Sequence, residues 1–122
     1  MMNENNAVLL RGTVTSDPVR RELPSGDVVT QVDLTTRVDG RAVSVPVALH
    51  RSETTVGAGD EVVVTGHVSR RFFRAGGVTQ SRTEVIAAKL VKSTRTRTVA
   101  RAIDGLVDLV SRSRAGGEES ST

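Results

Sequence analysis

Arg70-Arg71-Phe72-Phe73-Arg74 sets both aromatic residues of the 122-residue chain among three arginines. A guanidinium pairs with phosphate and can lie flat on a base, and a phenyl ring offers a stacking face that is indifferent to base identity. The pentapeptide therefore has the chemistry to hold unstacked nucleic acid. The surrounding charge agrees. From Arg70 to Arg97, eight basic residues (Arg70, Arg71, Arg74, Arg82, Lys89, Lys92, Arg95 and Arg97) face one acid, Glu84. That local balance of +7 sits in a chain of net charge +3, so the remainder sums to −4. Positive charge gathered into one segment is the footprint of a polyanion binder, whose affinity comes from neutralising phosphates and releasing counterions. Composition alone leaves open the reading in which these arginines only solvate an outward strand face.

The elements that would position this segment are strands. An apolar run from Ala7 to Val14 precedes turn chemistry at Ser16-Asp17-Pro18 and Leu23-Pro24-Ser25-Gly26-Asp27. From Val28 to Val38 the chain alternates, with Val28, Val32, Leu34 and Val38 on one face and Val29, Gln31, Asp33, Thr35 and Arg37 on the other. A turn at Val38-Asp39-Gly40 leads to a third run in which Val43, Val45, Val47 and Leu49 share a face. Pro46 has no amide hydrogen for a ladder and is placed at an edge or non-bonded position. Gly57-Ala58-Gly59-Asp60 breaks the chain again before a strand over Glu61 to Ser69. The basic segment then forms a hairpin around Gly76-Gly77, and Thr83 to Leu90 returns as a fifth strand. Five short strands without a long helix among them predict a small closed or partly closed β-barrel. Phe72 and Phe73, adjacent on a strand, point to opposite faces, and Phe73 is assigned to the nucleic-acid side.

Beyond the barrel, Val99, Ala102, Ile103, Leu106, Val107, Leu109 and Val110 recur at near-helical spacing, predicting an amphipathic helix over 94–114. Its apolar stripe would pack on the barrel or on another subunit. Residues 115–122 read as a disordered polar tail, leaving 5–93 for the barrel domain. The chain has no cysteine, and its two histidines, His50 and His67, fall on different strands, so neither a disulfide framework nor a zinc site is expected. No nucleophile elbow or paired-acid arrangement supports an enzyme, and no cofactor is implied. The polar start and the absence of a long apolar stretch predict a cytoplasmic protein that does not engage a membrane.

The order of short motifs resembles the bacterial single-stranded DNA-binding proteins. Asn6, Val8, Leu10 and Gly12 carry the first motif, followed by Asp17-Pro18, Pro24-Ser25-Gly26, Gly59-Asp60, Val64 to Gly66 and Thr83-Glu84-Val85. The likeness spans about Asn5 to Lys92 and is nearest to the short, arginine-rich actinobacterial members; 15 of the 17 basic residues are Arg. It implies an all-β, five-stranded OB-fold Greek-key barrel, assembled as a homo-oligomer, usually a tetramer. Such a protein protects single-stranded DNA in replication, recombination and repair without a catalytic step. It also implies an aromatic platform seven positions after Gly66, which is Phe73.

The binding residues expected on this basis are Arg37, Arg41, Arg51, Arg70, Arg71, Phe72, Phe73, Arg74 and Arg82. The family's other aromatic positions fall near Ser44, His50 and Val38 to Gly40, where this chain has none, so a more electrostatic and salt-sensitive binder is expected. Asp33 would oppose phosphate on the groove face. The segment 51–58 is too short for the family's helix, which leaves one end of the barrel in need of a cover that the C-terminal helix could supply. The ending Gly116-Gly117-Glu118-Glu119-Ser120-Ser121-Thr122 lacks the acidic run and hydrophobic tip that recruit repair enzymes in the family. An OB-like protein-interaction module and an RNA binder remain the alternatives, the first favoured if the arginines scatter instead of converging.

Overall fold

The computed structural model describes residues 4–50 and 54–120. Its elements are β1 (Val8–Val14), β2 (Val19–Glu22), β3 (Val28–Val38), β4 (Arg41–Leu49), β5 (Glu61–Ala75), β6 (Val78–Lys92) and α1 (Thr96–Ser120). Five of the strands close in the order β1-β5-β6-β4-β3, with β1 returning to β3. All neighbours are antiparallel except β4 and β6, which run parallel through Val47↔Val85 and Ala48↔Ile86. This is the strand order of an OB-fold barrel. Pro46 sits just before the β4–β6 pairing begins, on the β4 edge that no other described strand occupies.

Alternation puts one set of valines inside. Val14, Val32, Leu34, Val47, Val62, Val64 and Val85 form the core with Val56. Leu34, Val47, Val62 and Val64 are completely excluded from solvent, and burying an aliphatic side chain of this size contributes about 1.5–3 kcal/mol. Val56 lies in the connection between β4 and β5, where residues 54–57 form no helix. From this connection Val56 joins the core cluster, beside an open cavity of about 840 Å³ that it lines with Leu49, Leu90 and Thr98. The helix α1 packs on β5 and β6, burying Ala102 and half-burying Ile103 and Leu106, with Val107 and Leu109 turned outward. It continues past the expected boundary at Arg114 to Ser120. No helix of the described residues is long and apolar enough to cross a membrane.

Two glycines mark where strands come closest. A Cβ on Gly12 would lie 2.3 Å from the Thr35 carbonyl oxygen, at the point where β1 passes from β5 to β3. A Cβ on Gly66 would lie 2.0 Å from the Ile86 carbonyl oxygen, where the β5–β6 register shifts. Thr65 pairs with Lys89 and Gly66 with Ala87, leaving Ala88 as the extra residue of a bulge. Bulges bend and twist a strand pair, and here the pair leaves the barrel as a long projecting hairpin.

Several sequence expectations change in extent. β5 and β6 are each 15 residues long, well beyond the expected limits at Ser69 and Thr83, because Arg70 to Ala75 and Val78 to Arg82 stay paired to the tip. Asp39-Gly40 and Gly76-Gly77 have positive φ at both positions, the backbone of a tight hairpin turn. Val38, assigned to the buried face, is 59% exposed because the β3–β4 hairpin extends beyond the barrel rim. The segment read only as turn chemistry contains β2, which pairs Val19 to Glu22 with Gln31 to Val28.

Candidate nucleic-acid interface

Even-numbered residues of β3 point into the barrel, so Val29, Gln31, Asp33, Thr35 and Arg37 lie on its outer face. On the projecting hairpin the cross-strand pairs Ser69↔Glu84, Arg71↔Arg82 and Phe73↔Gln80 share one face, while Arg70↔Thr83, Phe72↔Ser81 and Arg74↔Thr79 share the other. The first set turns toward the outer face of the sheet. Arg82 reaches Asp33 of β3 at 4.0 Å, and Arg71 and Glu84 line a cleft with Gln31 and His50. The hairpin and the barrel wall thus form one concave surface.

Its electrostatics follow from the register. Arg71 and Arg82 stand directly opposite each other, an arrangement that costs energy unless opposite charge is near. Glu84 lies 3.6 Å from Arg71 and Asp33 lies 4.0 Å from Arg82, so each arginine has one acidic neighbour. Both separations are too long for hydrogen bonds, and the Arg82–Asp33 pair is too exposed to hold much energy. The Arg71 guanidinium also lies over the Phe73 ring, 5.5 Å from its centroid, a cation–π contact that fixes the ring beside the cleft. Phe73 remains 37% exposed.

The expected site residues therefore divide. Arg71, Phe73 and Arg82 come together on the concave face. Arg37 shares that face of β3 at the tip of the β3–β4 hairpin, where its Nη1 donates to the Gly40 carbonyl at 3.4 Å. Arg70, Phe72 and Arg74 occupy the opposite face of the β5–β6 hairpin; Phe72 is 67% exposed and Arg74 Nη2 donates to the Gly77 carbonyl at 2.9 Å. Arg41 pairs with Val38 and so follows the inward-pointing set beyond the rim. Arg51 lies outside the described residues.

Three groups on the concave face were not among the expected binding residues. Arg21 of β2 donates to Gln31 Oε1, and both line the cleft with Arg71. Glu84 is the third, 7% exposed at the back of the cleft. The signal for Arg21 was present in the sequence: Val19-Arg20-Arg21-Glu22 and Val28 to Gln31 flank a Pro-Ser-Gly-Asp turn at hairpin spacing.

No protein-family model matches the chain, and no curated protein matches it by sequence. Among solved structures, it is similar to a Plasmodium falciparum SSB complex with ssDNA, at a TM-score of 0.59 and 21% identity. That likeness covers 75% of this chain and 98% of the other, and it shows the same barrel fold.

Proposed function

We propose that this chain binds single-stranded DNA along the concave outer face of its OB-fold barrel. The observation that carries this reading is the meeting of Arg71, Phe73 and Arg82 with Arg21 and the β3 wall on one surface. The fold shared with an SSB seen in complex with ssDNA supports it. Arg21, Arg37 and Arg82 neutralise phosphates along the groove, and Phe73, with the Arg71 guanidinium over its ring, supplies the stacking platform. Neither kind of contact reads sequence. Arg70, Phe72 and Arg74 engage a strand that passes over the far side of the hairpin. No step of catalysis is required. The biological role that follows is protection of strands exposed in replication, recombination and repair, in the cytoplasm.

The two acids set the balance of this groove. Replacing Asp33 by Asn frees Arg82 and removes a charge that opposes phosphate, so D33N is expected to tighten oligo-dT binding. Arg82→Ala is expected to weaken it and to reduce the slope of log K against log salt by up to about 0.7, the increment for one phosphate contact on a single strand. Titrations of both variants at several salt concentrations test this; slopes equal to that of the unmodified chain would remove Arg82 from the phosphate path.

Homo-oligomer assembly belongs to the same proposal, with Val107 and Leu109 of α1 and Leu9 of β1 as exposed apolar contacts. Sedimentation equilibrium should then give a mass of two or more 13.0 kDa chains. A monomer at all concentrations would contradict it.

A further inference from the structure

The cleft behind Phe73 contains a pair of charged groups that phosphate binding does not use. Glu84 is an acid in the most basic segment of the chain, and its side chain is only 8% exposed. Burying a carboxylate is costly unless strong partners compensate. Its ion-pair partner is Arg71, yet the 3.6 Å approach of Arg71 Nε is too long for a hydrogen bond. That Nε is itself buried and has no hydrogen-bond partner. The Arg71 guanidinium and the Glu84 carboxylate thus line a cleft of about 80 Å³ side by side, with the Nε itself shut off from solvent and Ala48 and Val29 forming apolar parts of the lining. Gln31 Oε1, which also lines it, is already engaged by Arg21.

An ionised carboxylate accepts hydrogen bonds and cannot donate them, and a guanidinium only donates. Phosphate meets repulsion at Glu84, so the ligand that fits this pair is neutral and carries donors beside an acceptor. Base edges have that character. Guanine fits most completely, because its Watson–Crick edge presents two adjacent donors, N1–H and the N2 amino group, next to the O6 acceptor. The two donors match the two oxygens of one carboxylate, and O6 falls to the guanidinium. Adenine and cytosine offer one amino group followed by a ring nitrogen acceptor, which would face the second carboxylate oxygen. Thymine offers a single donor between two carbonyl oxygens.

We infer that Glu84 and Arg71 form a base-reading subsite that selects guanine in single-stranded DNA next to the Phe73 platform. This rests on the single-strand reading proposed above and adds a bias to it: most of the affinity stays with phosphate contacts and stacking, and guanine adds a further increment. A bidentate pairing discriminates by about fivefold or more against a base that cannot make it.

The test uses thymidine oligonucleotides of one length that carry isolated guanines, spaced to prevent quadruplex formation. Matched oligonucleotides replace those guanines with hypoxanthine, adenine, cytosine or thymine. Fluorescence anisotropy with the full chain is expected to give the tightest binding for guanine, by about fivefold over thymine. Hypoxanthine keeps N1–H and O6 but lacks the N2 amino group, and should fall between them. Glu84→Gln keeps the side-chain shape and replaces one acceptor oxygen with a donor; it should erase the guanine preference while the thymidine oligonucleotide still binds. A melting curve confirms that this variant is folded. Equal affinity for all five oligonucleotides would overturn the guanine assignment while leaving single-strand binding intact, as would a guanine preference that survives in folded E84Q. Failure of every oligonucleotide to bind would overturn the single-strand reading, and the subsite with it.

Discussion

Gly66→Ala is expected to destabilise the protein by about 2–4 kcal/mol, the range of overpacking and backbone strain at a tightly constrained site. The added methyl would sit 2.0 Å from the Ile86 carbonyl oxygen and 2.9 Å from its carbon, and both atoms are backbone. A flexible side chain could rotate away from such a contact, but a strand backbone moves only by giving up its ladder. Gly66 also pairs with Val8 of β1, so β5 is held on both sides at this position. Relief would have to come from opening the bulge between Thr65 and Gly66, the point from which the hairpin projects. The substitution should therefore act on stability and binding together, because a change in hairpin angle carries Arg71, Phe73 and Glu84 away from the β3 wall. Denaturant unfolding of the purified variant checks the first effect; a midpoint equal to that of the unmodified chain would show that the strands are not packed this closely.

Phe73→Ala is expected to weaken binding to oligo-dT by about 1–3 kcal/mol, roughly 5- to 150-fold, as for removal of one base–aromatic stack. The ring is 37% exposed and lies outside the buried core, so the fold should tolerate its loss. Its removal also takes away the surface that holds the Arg71 guanidinium, so one substitution affects both stacking and charge placement. Phe72→Ala is the natural control. Phe72 is more exposed, at 67%, and stands on the other face of the hairpin, paired with Ser81. It should have the smaller effect on a strand lying in the groove. Equal losses for the two variants would mean that the far face of the hairpin contributes as much as the groove, and no loss for Phe73→Ala would remove the ring from the site.

The barrel was legible because its strands obey local rules. Strict alternation through Val28 to Leu34 and Val43 to Leu49 assigns the inward face without knowledge of partners, and glycine pairs or Asp-Gly mark the turns. Adjacency alone placed Phe72 and Phe73 on opposite faces. What remained hidden depends on contacts between distant segments. β2 is the exception, a local hairpin partner of β3 marked only by its spacing around Pro24-Ser25-Gly26-Asp27, since its four residues are all exposed and carry no periodicity of their own. The extra residue at Ala88 shifts the inward set of β6 from Leu90 to Ala87 and Val85, and thereby decides that Glu84 and Arg82 face outward together. In the sequence Glu84 counts as one negative charge among eight positive ones; only the approach of β3 and β4 to the hairpin shows that it is buried in the groove. Likewise Val56 sits in a segment with no periodic pattern, and its place in the core follows from closure of the sheet.

Whether the concave face holds unstacked single strands is decided by comparing strand forms. Labelled oligo-dT and a matched duplex are titrated with the full chain at a low and a high salt concentration, and anisotropy is recorded. Tight binding of the single strand, weaker binding of the duplex, and a marked loss of affinity as salt rises are expected. Absence of single-strand binding at low salt, or equal binding of the two forms, would contradict that reading.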